Sequence, residues 1–257
     1  MKIIIVGSTH GHEKIGLRVI EELRNLNLDS NQVEFIVGNP KASELSVPFT
    51  ESDLNRIFPG KPDGNYEEKR AFELSEKIIN ADIVIDIHST KTTDLSNNSM
   101  IIVTKFDEAT KQVLSIISPP KILVMRYKST NALISQAKIG IAFEYGLDDS
   151  ETVLSATLHD IIVILIEYKL IQHNPYVNLR VKTNSVIFDV YDAFMKNFNG
   201  DYVLSKKVEN FKQVHRGEVV CITKSNKDIF AEEDFYPILF GNNRYKDILG
   251  FKAQKIS

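Results

Sequence analysis

The chain has 257 residues, 43% hydrophobic and 25% charged, enough to bury one large core or two unequal ones and too apolar for disorder to be the default. Its 31 Lys+Arg against 34 Asp+Glu give a net charge of -3; with no basic run to follow a phosphate backbone, nucleic acid is not an expected partner. The lone cysteine, Cys221, excludes an intrachain disulfide and a cysteine-rich metal site and fits a reducing, cytoplasmic setting.

The apolar run at residues 2–7 stops at Gly7, too short for a signal-peptide core, and reads as a first strand. Residues 12–27 carry Ile15, Val19, Ile20 and Leu23 at helical spacing. A second strand at 33–37 ends in Gly38-Asn39-Pro40, and a polar, irregular stretch leads to a helical pattern from Tyr66 through Ala71, Leu74, Ile78 and Ile79. A third strand at 83–87 delivers His88. Strands follow at 100–103, 122–125 and 140–145, with a helix near 109–116. Residues 150–172 read as a buried helix that closes a first domain; its apolar stretch at 161–166 is far below the roughly 20 residues of a membrane span, so no membrane is expected. After Pro175 the texture changes to short β-rich runs at 179–181, 186–190, 219–223 and 236–240.

Alternating strands and helices, with nearly continuous apolar strands, predict an α/β domain over residues 1–173 whose sheet is covered by helices on both faces, followed by a smaller β-rich domain over 174–257. Ligands of such a sheet bind beyond the carboxyl ends of the strands. His10, His88 and Glu144 all fall at or just past such ends.

Two imidazoles and a carboxylate, His10, Glu13 and His88, are the ligand set of a catalytic zinc, which keeps a fourth position for water. The His10-x-x-Glu13 spacing can put both side chains on one side of a first helical turn; taken alone it is weak, because a helix N-terminus favours Glu through its dipole. A strand-end His88 held by Ser89 or Thr90 is equally ordinary. Their shared position carries the reading. His12 points elsewhere if His10 and Glu13 share a face, toward a supporting or surface role. Zinc lowers the pKa of bound water to about 7 and polarises an amide carbonyl, so a nearby carboxylate can take a proton and pass it to the leaving amine. Glu144, after the apolar Ile141-Ala142-Phe143, suits that task through desolvation, with a buried structural ion pair as the alternative. Asn55 and Arg56, in Asp53-Leu54-Asn55-Arg56, place an amide beside a guanidinium; they could clamp a substrate carboxylate or carbonyl, or serve as ordinary loop caps.

In order, His10-Gly-x-Glu13, Asp53-Leu-Asn-Arg56 with Phe58-Pro-Gly60 behind it, Asp86-Ile-His88-x-Thr90 and Phe143-Glu144-Tyr-Gly146 resemble the motifs of the succinylglutamate desuccinylase and aspartoacylase family, zinc hydrolases related to the carboxypeptidase A group. The resemblance spans most of the first domain. It implies a carboxypeptidase-like mixed sheet, Zn2+ held by His10, Glu13 and His88, Glu144 as general base and acid, and Asn55 and Arg56 on the substrate. It also implies a β-rich C-terminal domain, in which Tyr245 falls near a substrate-contacting tyrosine of aspartoacylase; an exposed packing tyrosine is the alternative. Two departures stand out. Pro48 occupies the place of an arginine that precedes Asp-Leu-Asn-Arg, and Ile134 that of an arginine that grips a substrate carboxylate in aspartoacylase. N-acetylaspartate is therefore not the favoured substrate, and Arg126, Lys128 and Lys138 are the nearby candidates to replace the lost charge.

The expectation is a zinc-dependent amidohydrolase that cleaves a small N-acylated amino acid or related metabolite, with a small-molecule substrate as its partner and homo-oligomerisation left open. A carboxypeptidase-like peptidase or esterase uses the same chemistry. A non-catalytic metal- or carboxylate-binding protein is the alternative of another class, prompted by Pro48 and Ile134. A Rossmann nucleotide site is disfavoured, because the first turn lacks G-x-G-x-x-G.

Overall fold

Ile3-Ile4-Ile5-Val6-Gly7 forms β1 (Ile3–Gly7), buried along its whole length, as β-branched side chains do in a sheet covered on both sides. The computed structural model describes residues 1–90, 99–172, 184–242 and 245–256. These fall into two compact units, Met1–Ile122 with Lys128–Ser185, and Leu123–Tyr127 with Val186–Ser257. The expected junction at 173/174 and the expected strand at 179–181 lie outside the described residues.

In the first unit, β1 is followed by α1 (Ile15–Arg24), β2 (Val33–Val37), α2 (Pro40–Leu45), α3 (Tyr66–Ile78), β3 (Ile83–His88), β4 (Met100–Val103) and α4 (Glu108–Ile117). After β5 (Lys121–Met125), which crosses the division between the units, come β6 (Ile139–Glu144) and α5 (Glu151–Glu167). The sheet runs β4-β6-β3-β1-β2. Strands β2, β1, β3 and β6 are parallel and β4 is antiparallel to β6, so the sheet is mixed. The chain leaves β1 for β2 on one side and returns to β3 on the other. The carboxyl ends of β1 and β3 thus border the point where strand order reverses, which is where ligands of such sheets bind.

Side chains alternate between the two faces of the sheet. On one face Ile4, Val6, Val84 and Ala142 join Ala71, Leu74 and Ile78 of α3 in a buried cluster. On the other, α1 lies so close that a Cβ on Gly7 would stand 2.6 Å from the Gly16 carbonyl carbon. Helices therefore cover both faces. A capping box starts α3: the Asn65 side chain accepts from the Glu68 N–H, and the Glu68 carboxylate from the Asn65 N–H. Ile79, read above as part of the inward pattern, is 64% exposed, since one residue beyond Ile78 the helix has turned about 100°.

The second unit is antiparallel and β-rich, as expected. In it β7 (Val186–Met195) pairs with β12 (Ile248–Lys255), which pairs with β11 (Tyr236–Ile238). A separate sheet orders β10 (Asp228–Phe230), β9 (Val219–Thr223) and β8 (Tyr202–Leu204). Its core gathers Tyr202, Val220, Cys221, Phe235, Phe240 and Leu249. The run expected at 236–240 stops early because Leu239 adopts a left-handed φ of 55°. No helix among the described residues is long and apolar enough to cross a membrane.

Candidate metal centre

Beyond β1 the chain turns sharply at Ser8, whose φ of 60° is left-handed and strained for a non-glycine residue. A Cβ on Gly11 would lie 2.1 Å from the Ala42 carbonyl carbon, so only glycine lets this turn pass against α2. The Glu13 N–H donates to the His10 carbonyl at 3.0 Å, and that single turn brings His10 Nδ1 to 3.1 Å from Glu13 Oε1. From the end of β3, His88 Nδ1 lies 2.9 Å from Glu13 Oε2, to which the Ser89 N–H also donates at 3.3 Å. Ligand atoms of His10, Glu13 and His88 all lie within 4.8 Å of one another.

Each ring is backed by a second carboxylate. His10 Nε2 lies 3.4 Å from Asp53 Oδ1, and His88 Nε2 lies 2.7 Å from Asp86 Oδ2. Asp86 in turn accepts the Thr9 hydroxyl at 2.6 Å through its other oxygen. With Nε2–H donated to a carboxylate, a neutral imidazole carries its lone pair on Nδ1. Both rings thus turn Nδ1 toward Glu13, giving two nitrogens and one carboxylate, a donor set suited to zinc.

Burial opposes charge on these groups, and their mutual contacts override it. For His10, burial works against the imidazolium, but hydrogen bonds to Asp53 and Glu13 raise its pKa from 6.5 to about 9, with His88 opposing. His88, buried where His10 is only partly so, is raised well above the usual range by Asp86 and Glu13. The neighbouring rings hold Glu13 well below the ordinary carboxylate range despite its burial. Likewise Asp53, pushed upward by burial, is brought below its usual value by the His10 hydrogen bond and the charge of Arg56.

Glu144 closes β6 as the register partner of His88 on the adjacent parallel strand. Residues in register on parallel strands leave the same face, so Glu144, His88 and Asp86 share the side of the sheet covered by α3. The ends of these strands are tied by the Thr90 N–H, which donates to the Gly146 carbonyl at 2.8 Å. Glu144 is half-buried.

Asp53 caps the short 3-10 turn Leu54–Arg56, accepting the Asn55 N–H at 2.9 Å. Asn55 Oδ1 accepts the Leu133 N–H at 2.8 Å, which turns its NH2 end away from Leu133. Arg56 is exposed and donates through Nη1 to the Asn55 carbonyl at 2.8 Å. His12 is exposed, its ring 6.2 Å from that of His10. Tyr245 belongs to the second unit, where its ring packs edge-on against Phe251 at 5.7 Å.

At the two departures, Pro48 offers its carbonyl to the Gly11 N–H at 3.2 Å, and Ile134 is buried in the α3-side core. Of the suggested replacements, Lys138 pairs with Asp82 at 3.1 Å, just before β3 and roughly 20 Å of extended chain from His88; it does not serve. Arg126 pairs with Asp189 at 2.6 Å within the second unit, and Lys128 is exposed with a φ of 44°.

The chain is similar to known proteins in both sequence and fold. Residues 1–162 match the model of the succinylglutamate desuccinylase/aspartoacylase catalytic domain. A probable aspartoacylase of Nostoc sp. is 27% identical over 277 residues, covering 95% of this chain and 92% of that protein. An N-acyl-aromatic-L-amino acid amidohydrolase (carboxylate-forming) of Xenopus tropicalis is 32% identical over 104 residues, about a third of either chain. In fold, murine aminoacylase 3 superposes with a TM-score of 0.76 at 19% identity, over 100% of this chain and 95% of the other.

Proposed function

The chain belongs to the succinylglutamate desuccinylase/aspartoacylase family, and from that membership we propose that it is a zinc-dependent amidohydrolase cleaving the amide of a small N-acylated amino acid. The observation that carries the reading is the convergence of His10, Glu13 and His88 within 4.8 Å, with Glu144 in register beside His88. These three side chains would hold the ion. When bound there, zinc acidifies water and polarises a carbonyl.

The remaining work falls to the chain's own groups. Asp86 and Asp53 hold the Nε2–H of the two rings and so keep Nδ1 available. Glu144 takes a proton from the attacking water and delivers it to the nitrogen of the leaving amine, so that carboxylate and amine products form with the base restored. Asn55, its amide oriented by Leu133, and Arg56 hold the substrate's carbonyl or carboxylate. A buried Ile134 where aspartoacylase presents an arginine favours substrates whose amino-acid half carries no second carboxylate. The name of the Xenopus N-acyl-aromatic-L-amino acid amidohydrolase points to the same class.

Elemental analysis of the purified protein, followed by a panel of N-acyl amino acids, peptides and aryl esters, tests the reading. One equivalent of zinc and turnover of N-acyl amino acids are expected. Zinc without turnover of any of the three would turn it toward a metal- or carboxylate-binding protein, and preference for peptides or esters toward a peptidase or esterase.

A further inference from the structure

On α3, Glu67 occupies a core-facing position, one turn before Ala71 and in line with Leu74 and Ile78, and like them it is fully buried. Packing alone would favour an apolar residue there. Its carboxylate is instead surrounded by donors. Oε1 accepts the Thr50 N–H at 2.6 Å, the Thr50 hydroxyl at 2.8 Å and Asn39 Nδ2 at 3.2 Å. Oε2 accepts the N–H groups of Glu51 at 3.1 Å and Ser52 at 3.3 Å. The Asn39 amide has a fixed sense, since its oxygen caps α2 by accepting the Ala42 N–H at 3.2 Å. Three successive backbone amides of a segment outside regular structure therefore close on one carboxylate.

The next residue is Asp53, which lies 3.4 Å from His10 Nε2 and starts the turn that carries Asn55 and Arg56. Ordering such a segment costs conformational entropy, and hydrogen bonds to an ionised acceptor are the strong ones that can offset it. Building on the proposed zinc hydrolase, we propose that Glu67 is a positioning residue: by anchoring residues 50–52 it aims Asp53 at His10 and sets the substrate turn, without touching metal or substrate itself.

The test compares the wild type with Glu67→Gln, Asp53→Ala and the double variant by amide hydrogen exchange and by zinc affinity from chelator competition. Gln keeps the volume but must point an NH2 at groups that are themselves donors. Faster exchange of amides 50–52 is expected in Glu67→Gln, with the protection of β1 and β3 retained. The zinc dissociation constant should rise about tenfold in each single variant, as for other groups that orient metal ligands, and no further in the double variant than in Asp53→Ala. With an N-acyl amino acid substrate, KM should rise more than kcat falls. Unchanged exchange at 50–52, or single-variant effects that multiply in the double, would overturn the role. A wild type that binds no zinc would sink the hydrolase reading, while exchange at 50–52 still decides the anchoring. If Glu67→Gln does not fold, Thr50→Val, which removes one donor, should show the same changes at smaller size; wild-type behaviour in that variant would reduce Glu67 to a folding role.

Discussion

His88 and Glu144 are register partners on β3 and β6, which puts their backbones about 4.8 Å apart and both side chains on the α3 side of the sheet. An imidazole suited to hold an ion and a carboxylate suited to move protons beside it are thus fixed by one sheet pairing. Replacing Glu144 with Ala or Gln is expected to lower kcat by about 10²–10⁴ and to leave one equivalent of zinc bound. Rates and metal content measured on the same preparation check this, and a variant of near-normal rate would remove Glu144 from the chemistry.

Asp86 holds His88 Nε2 at 2.7 Å and accepts the Thr9 hydroxyl at 2.6 Å, linking the ends of β1 and β3 beneath the centre. Asp86→Asn keeps the shape and removes the charge that stabilises the ring in its Nδ1-donating orientation. Zinc affinity is expected to fall about 10–100-fold, read by competition with a chromogenic chelator. An affinity equal to wild type would mean that the ring is oriented by packing alone.

Much of this was legible in the chain because strand ends and ligand types are local properties. Residues 2–7, 83–87 and 140–145 read as strands, and His10, His88 and Glu144 as their tips, since buried β-branched runs have few other uses. Asp86 was visible only as part of a motif; a lone Asp two residues before His88 in an Ile/Val strand shares its face, and that was the available signal. Asp53 looked like a substrate-loop residue and turns out to lie against His10, a pairing between distant segments that spacing does not encode. Strands β8 and β10 went unread because they are only three residues long, and β12 because Gly250 and Lys252 break its apolar pattern, its burial coming from neighbouring strands.

In the proposed centre, protons and zinc would compete for the same nitrogens. His10 has a pKa raised to about 9, so at neutral pH its ring would have to shed a proton to bind metal, and His88 is shifted in the same direction. Zinc affinity should therefore strengthen as pH rises and level off near the His10 value. In protein stripped of metal the sign is opposite: a folded-state pKa above the unfolded one gives stability that is complete below about pH 6.5 and is lost as pH climbs through about 9. Thermal unfolding of stripped and zinc-loaded protein from about pH 6 to about pH 10 checks both trends. Parallel pH profiles for the two forms would contradict the assignment.

Asp148, four residues beyond Glu144, caps a helix on another part of the chain. Its Oδ1 accepts the Lys14 N–H at 2.7 Å and the Ile15 N–H at 2.8 Å, and its carbonyl accepts Arg18 Nη1 at 2.6 Å. Lys14, at the N-cap of α1, supplies no side-chain cap of its own, so this carboxylate satisfies amides that would otherwise be left over. It also ties the segment behind Glu144 to the helix that follows Glu13. Asp148→Ala should cost about 1 kcal/mol of stability, the usual worth of a cap, and lower Tm by about 2–4 °C in a chain of this size. If the same contact also sets Glu144 relative to Glu13, kcat falls as well. Asp148→Asn, which keeps an accepting oxygen, should recover most of both. A drop in Tm with kcat unchanged would leave Asp148 as a helix cap and nothing more.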